Sequence, residues 1–445
     1  MARRLRVAVV GSGPAGLYCA QILTEDADRD VTVDVFERLP TPFGLVRYGV
    51  APDHQKIKSI VASLAETFES PRVRFLGNVT VGSDVTIEEL RARYDAVVLA
   101  SGAPLDRRLG VAGEDLTGVL AARNFVSWYS GHPDADFDTS LLDVERAMVI
   151  GVGNVALDVA RMLVRTPDEL RRTDVPEHVI EVLAGHAVRE MLVVGRRGPQ
   201  FAKFTNKELV ELAAVDSADV IVAPEELLLP EAEQARVAAQ PAVKRLLASL
   251  QKIAGREPYG RDRRIRFLFD RTPVEFLGDT TVTAARLART TDPTIVEDLD
   301  TGLILPAVGY RSTALSGVPF DDSSGTIPHR DSRVLDRDAQ VSGLYVVGWA
   351  KRGPSGVIGT NRLCASETVA AVLEDAATLL ERDRPDEPID TLLQARGVTV
   401  IDWHRWQLIE AAEARLGAEH GRDRVKLYDR ELMLTAAGVG GTPAS

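Results

Sequence analysis

The stretch Leu5-Arg6-Val7-Ala8-Val9-Val10-Gly11-Ser12-Gly13-Pro14-Ala15-Gly16 decides the fold. An apolar run ends in G-x-G-x-x-G and opens onto Leu17-Tyr18-Cys19-Ala20-Gln21-Ile22-Leu23, which reads as strand, tight turn and helix. Gly11 permits the turn, Gly13 removes the Cβ that would hold a pyrophosphate off the backbone, and Gly16 lets the helix lie close on the strand. The helix N-terminus then offers N–H groups and a positive dipole end to phosphates. Such a turn also arises by chance, so the rest of the chain must carry the reading.

Val31-Thr32-Val33-Asp34-Val35-Phe36-Glu37 alternates as a strand and ends in an acid. A carboxylate there suits the hydroxyls of an adenosine ribose, with a solvated strand end as the plainer alternative. A second strand–turn–helix begins at Ala147 and carries Gly151-Val152-Gly153-Asn154-Val155-Ala156. Its next strand, Glu190 to Gly195, is followed by Arg196-Arg197 in place of the acid. Guanidinium groups bind a 2′-phosphate that a carboxylate would repel, with a basic turn on an otherwise acidic surface as the plainer alternative. The first site therefore suits the ADP-ribose of FAD or NAD, and the second suits NADPH. An FAD facing a nicotinamide is a hydride-transfer device.

Elsewhere, Pro40 to His54 lacks any period and reads as a loop, and Lys56 to Ser70 as a helix. Arg72 to Val81 reads as strand and turn, and Tyr94 to Ala103 as a buried strand. Phe204 to Ala214 starts a helix with Glu208 and Glu211, residues 225 to 255 are helical, and Arg256 to Arg271 is dense in arginine. Leu303 to Arg311 reads as a strand returning to the first domain. Leu344 to Trp349 is another strand, followed by a glycine-rich turn to Asn361 and a helix from Ser366 to Leu380. Helical stretches around Trp403 to Leu416 precede residues Ala436 to Ser445, which are expected to fray.

Composition narrows the class. At 445 residues two or three domains are expected. The net charge of −12 argues against general nucleic-acid binding. Cys19 and Cys364 provide no C-x-x-C pair, disulfide framework, iron–sulfur site or Cys-based zinc site. No apolar stretch approaches the ~20 residues of a membrane span. The first strand starts too early to leave room for a signal peptide, so the chain reads as cytoplasmic, with no membrane partner.

The stretches PTPFGLVRYGVAPDHQKIK, VGNVALDVAR, VVGRRGP, GYRS and VGWAKRGPSGVIGTN resemble the adrenodoxin reductase family, FAD-containing NADPH–ferredoxin reductases of the mitochondrial and actinobacterial type. The likeness runs from about Val7 to about Leu380, plus the WHRWQ-to-VKL tail. It implies that Ala15, Glu37, Leu45 and Val81 contact FAD, with Trp349 and Gly356-Val357-Ile358 at the flavin ring. It also implies Asn154-Val155 at the NADP pyrophosphate, Arg196 and Arg197 at the 2′-phosphate, and Arg107, Glu208 and Gly356 elsewhere along that nucleotide. His54 and Glu211 match a pair near the nicotinamide and flavin, with a part in positioning or in proton traffic. The implied activity is EC 1.18.1-type: hydride from NADPH to FAD, then single electrons to an acidic ferredoxin, with cytochromes P450 as one outlet. Docking candidates are the basic run from Lys244 to Arg266 and Lys351-Arg352, and the family is usually monomeric.

The expected architecture is α/β, with two Rossmann-like domains. An FAD domain of residues 1–104 and 309–445, ending in a helical tail, encloses an NADP domain at 105–308. A disulfide reductase lacks its cysteine pair here, and a glutamate-synthase-type small subunit lacks its Cys clusters. An FAD/NADPH monooxygenase, a general diaphorase and a non-turnover flavin redox sensor stay open as alternatives.

Overall fold

The computed structural model describes residues 3–385 and 387–439. The expected fraying at the C-terminus lies, from residue 440 on, outside the described residues. The chain divides into two compact units, one made of Met1–Leu105 with Gly309–Ser445 and one of Asp106–Val308.

The first unit opens with β1 (Leu5–Val10), α1 (Pro14–Glu25), β2 (Val31–Glu37), β3 (Val73–Gly77) and β4 (Ala96–Leu99). β1 pairs in parallel with both β2 and β4, so its C-terminal end is a switch point of the kind where open sheets bind ligands. β4 is buried throughout and β1 nearly so, as expected of Val-rich strands covered on both faces. Two local expectations change. The segment Pro40 to His54 holds a helical turn, Leu45–Tyr48, bounded by Gly44 and Gly49. The helix expected from Lys56 to Ser70 is three pieces, Gln55–Lys58, Ile60–Ala65 and a 3₁₀ turn Glu66–Glu69.

The second unit contains β5 (Arg146–Ile150), α2 (Asn154–Val164), β6 (Glu190–Val194), α3 (Asn206–Leu212), β7 (Ala218–Val222), α4 (Glu231–Ala238), α5 (Pro241–Ala254) and β8 (Arg263–Leu268). An antiparallel trio follows, β9 (Arg271–Leu277), β10 (Ala284–Arg289) and β11 (Val296–Asp300), and then β12 (Leu303–Pro306). The parallel sheet has the order β12-β5-β6-β8-β7. Leu303 to Arg311 is thus not one strand of the first unit. β12 pairs with β5, and the chain leaves the second unit only after Val308.

Back in the first unit, β13 (His329–Arg330), β14 (Arg333–Asp336) and β15 (Ala339–Val346) form an antiparallel edge. β15 pairs in parallel with β4, giving a seven-stranded sheet ordered β13-β14-β15-β4-β1-β2-β3. α6 (Thr360–Leu380) packs against α1 and starts earlier than the sequence suggests, and α7 (Trp403–Glu419) follows. Among the described residues no helix is long and apolar enough to cross a membrane.

Candidate functional site

In the first unit, Gly11 sits between the ends of β1 and β4. Its φ is +111°, and a Cβ there would lie 2.4 Å from the Ala100 carbonyl oxygen. A Cβ on Gly16 would lie 2.1 Å from the Gly11 oxygen, so helix and turn touch through bare backbone. Gly13 differs: a Cβ on it meets nothing within 4 Å. It is the N-cap of α1 with no side-chain partner, so the open space faces the helix N-terminus. That vacancy for an atom at Gly13, beside a dipole end, fits a pyrophosphate. Glu37 is tied to the same turn. Its Oε2 accepts from the Ser12 N–H at 3.1 Å and hydroxyl at 2.7 Å, and its Oε1 accepts from the Leu39 N–H at 3.1 Å. A carboxylate has about four acceptor sites, so it retains capacity for a ribose hydroxyl.

Other stretches converge on this turn. The Phe43 N–H donates to the Ser12 carbonyl at 3.1 Å, and a Cβ on Gly44 (φ +49°) would lie 3.2 Å from the Gly13 Cα. Leu45 follows, exposed. Gly348 (φ +70°) would place a Cβ 2.7 Å from the Ala15 side chain. That contact brings Trp349 toward the cradle, half-buried and stacked on Tyr310 at 5.8 Å. Val81 is buried a few residues past Val79, whose N–H donates to the Glu37 carbonyl. Gly356 (φ +83°), exposed Val357 and half-buried Ile358 stand farther along, in the turn that leads into α6. Phe43, Gly44, Gly348 and Tyr310 were not singled out from the sequence. The GYRS and VGW stretches that hold Tyr310 and Gly348 were the available signal.

The segment Pro40 to His54 is held from below by buried charge. Both Nη atoms of Arg47 donate to the Glu413 carboxylate on α7, and both side chains are sealed from solvent. Lys426, also buried, donates to the Arg47 carbonyl at 2.8 Å, and the Leu427 N–H donates to Glu413 Oε1 at 3.0 Å. The Arg47 guanidinium lies over both the Tyr48 and the Trp406 rings at 5.1 Å. Burial works against the Arg47 charge, but Glu413 more than offsets it and holds the guanidinium pKa above its ordinary value. At the end of the segment, His54 is nearly buried and its carbonyl accepts from the Ile57 and Lys58 N–H groups.

The second unit repeats the device. Gly151 has φ +141° and would place a Cβ 2.5 Å from the Ala307 carbonyl oxygen, between β5 and β12. A Cβ on Gly153 meets nothing within 4 Å, and Gly153 caps α2 with no side-chain partner. Ala156, where the first fingerprint has glycine, is fully buried. Asn154 Oδ1 accepts from the Thr205 N–H at 3.0 Å and so fixes the start of α3 beside Val155 and the turn. On α3, Glu208 is buried, 3.7 Å from Arg161, whose other arm donates to Asp158 at 2.6 Å. Arg161 is a supporting residue that the sequence reading missed. Glu211 is half-exposed beside Lys207 at 3.6 Å. Glu211 belongs to this unit and His54 to the other. Arg196 and Arg197 are exposed just past β6, and the Arg197 guanidinium lies 4.5 Å from the Phe201 ring centre. Arg107 is exposed near the start of the unit.

The arginine run is largely occupied. Arg261 donates to the Val215 and Ala218 carbonyls, Arg263 to that of Arg165, and Arg264 to Glu190 at 2.8 Å. Lys351 pairs with Glu367 at 2.8 Å, and Arg352 donates to Asn361 at 2.7 Å. Lys244, Arg245, Lys252 and Arg256, on or just after α5, are exposed. The thiols are buried. Cys19 donates weakly to the Ala365 carbonyl, and Cys364 accepts from the Gly348 N–H at 3.3 Å. Burial, with Cys364 nearby, pushes the Cys19 thiol well above its ordinary pKa, so it is not a reactive thiolate.

Two glycine cradles at two switch points, with opposite charge after the second strand and no reactive thiol, define a pyridine-nucleotide oxidoreductase with two dinucleotide sites. Residues 5–210 match the pyridine nucleotide-disulphide oxidoreductase family. The chain is 43% identical to NADPH-ferredoxin reductase FprA of Mycobacterium tuberculosis, over 95% of this chain and 96% of that one. It is 37% identical to the mitochondrial NADPH:adrenodoxin oxidoreductase of Arabidopsis thaliana, over 98% and 96%. The solved structure of Mycobacterium tuberculosis FprA in complex with NADPH superposes with a TM-score of 0.92 at 42% identity, covering 98% of this chain and all of that one. The chain belongs to the family of NADPH–ferredoxin and adrenodoxin reductases.

Proposed function

We propose that this protein is an FAD-dependent NADPH:ferredoxin oxidoreductase, with FAD on the first unit and NADPH on the second. The observation that carries the reading is the duplicated cradle with unlike second-strand ends: Glu37 tied to the first turn and Arg196-Arg197 beyond the second. When bound, NADPH supplies a hydride, and FAD accepts it and releases the two electrons singly to an iron–sulfur protein.

The chain's own residues bind and orient. Gly13 and Ala15 present the α1 N-terminus to the FAD pyrophosphate, Glu37 takes its ribose, and Leu45, Val81, Trp349 and Gly356-Val357-Ile358 shape the flavin side. Gly151, Gly153, Asn154 and Val155 do the same for the NADP pyrophosphate, Arg196 and Arg197 hold the 2′-phosphate, and Arg107, Glu208 and Gly356 complete the contacts. The Arg161–Glu208 pair supports the placement of Glu208. His54, whose backbone turns the loop into the helix that follows, acts as a positioning residue, and Glu211 is its partner in that role. A His54→Gln variant whose hydride-transfer rate changes its pH profile would instead assign His54 to proton transfer.

The acceptor is an acidic ferredoxin docking on exposed cations such as Lys244, Arg245, Lys252 and Arg256. Family likeness supports a monomer working in the cytoplasm, which gel filtration and cell fractionation test. The central test is the purified protein. It should carry a flavin absorbance band and reduce ferricyanide with NADPH far better than with NADH. Absence of flavin, or equal use of the two nucleotides, contradicts the assignment.

A further inference from the structure

Beyond the arginine pair, the second unit presents a third guanidinium that the fingerprint does not include. Arg236 lies on α4, about forty residues downstream of Arg197 and on a different element. Its guanidinium carbon lies 5.5 Å from the centre of the Phe201 ring, the same ring that carries Arg197 at 4.5 Å. Phe201 belongs to a 3₁₀ turn, Pro199–Phe201, that follows Arg196-Arg197-Gly198 directly. One aromatic ring therefore sets the heading of two cations from separate elements. Arg236 is exposed, and its one described ion pair, with Glu233 one turn back, is long at 3.8 Å. An exposed pair of that length is weak and releases the guanidinium readily.

We propose that Arg236 is a specificity residue for the 2′-phosphate of NADP(H), aligned by Phe201 to close the phosphate pocket opened by Arg196 and Arg197. The proposal rests on the NADPH reading of the second unit. A ring face attracts the planar guanidinium group through its quadrupole and so favours one orientation of it. An ordered guanidinium loses less freedom when it takes up a phosphate oxygen. A dianionic phosphate has three oxygens to satisfy, and cations supplied from two elements can bracket it where two adjacent residues reach only one side. Phe201 is then a positioning residue, acting through both arginines.

The test uses the full-length holoprotein and two fragments, 2′,5′-ADP and 5′-AMP, which differ in the 2′-phosphate, with affinities read by calorimetry. Arg236→Ala should weaken 2′,5′-ADP about fivefold, the scale of one exposed charged contact, and leave 5′-AMP unchanged. Phe201→Leu should weaken 2′,5′-ADP at least as much, because it disorders Arg197 as well, and Arg236→Lys should recover part of the loss. Native-like 2′,5′-ADP affinity in Arg236→Ala, while Arg196→Ala loses it, overturns this proposal alone. A native protein that does not distinguish the two fragments overturns the NADPH reading with it.

Discussion

Replacing Glu413 by glutamine tests how the segment Pro40 to His54 is held. The carboxylate is fully buried and takes both arms of Arg47, itself 5% exposed, with Arg424 3.8 Å from its Oε2. Glutamine keeps the shape and can still accept from the Leu427 N–H, but it removes the countercharge. The Arg47 guanidinium is then left buried between Tyr48 and Trp406, with buried Lys426 bonded to its carbonyl. Removing one partner of a buried pair costs about 3–5 kcal/mol, a large share of a typical stability of about 5–15 kcal/mol. For a unit of this size each kcal/mol moves the midpoint by about 2–4 °C, so the first unit should melt roughly 6–20 °C lower. Scanning calorimetry measures this directly, and the tryptophan emission, to which Trp403 and Trp406 beside the site contribute, should shift with it. Proteolysis should also begin to cut between Pro40 and His54. The double variant Arg47→Met/Glu413→Leu should recover much of the loss, because it removes the stranded charge along with its partner. A Glu413→Gln protein that melts within about 2 °C of native refutes the argument that this pair clamps the loop.

Three further outcomes follow from the geometry. Gly11→Ala and Gly151→Ala should each cost about 1–3 kcal/mol or more through positive φ and a clash with a carbonyl, whereas Gly13→Ala and Gly153→Ala should fold normally and lose only nucleotide affinity; denaturant titration and dinucleotide binding separate the two classes. Burial and Arg263 hold His186 down at a pKa of about 4, and its Nδ1 accepts from the Val188 N–H; the unfolded chain therefore binds the extra proton first, so the second unit should lose up to ~3 kcal/mol as pH falls from about 6.5 to 4, and His186→Asn should flatten that dependence in melting curves. Ferredoxin reduction should slow with added salt while turnover of a neutral quinone barely changes; equal salt response in both assays counts against electrostatic docking.

Much of the plan was legible because it is local. Each cradle is written in six consecutive residues, and a Cβ at Gly11 or Gly151 meets a carbonyl that any such turn would bring near. Glu37 was legible as a strand-end acid, but its bonds to Ser12 were not, since they need the turn folded back over β2. The clamp was out of reach: Arg47 and Glu413 are 366 residues apart, and nothing near either marks its partner. The arginine-rich run was legible only in part, for a related reason. Its cations look free in the sequence, yet β8 places Arg264 beside Glu190 of β6 and turns Arg261 onto backbone carbonyls. Leu303 to Pro306 is a parallel strand, so only the fold shows that its neighbour is β5.

The pairing of β15 with β4 also sets a schedule for synthesis. The second unit is continuous in the chain and has every strand it needs once Pro306 has emerged. The first unit begins earlier and finishes last, because the edge of β4 at Leu99 waits for residues from Ala339 onward. At a translation rate of about 5–20 residues per second, that interval is roughly 10–50 s, during which β4 lacks one of its two neighbours. An open edge of that kind invites pairing with other chains, a hazard that ends once β15 takes its place beside β4.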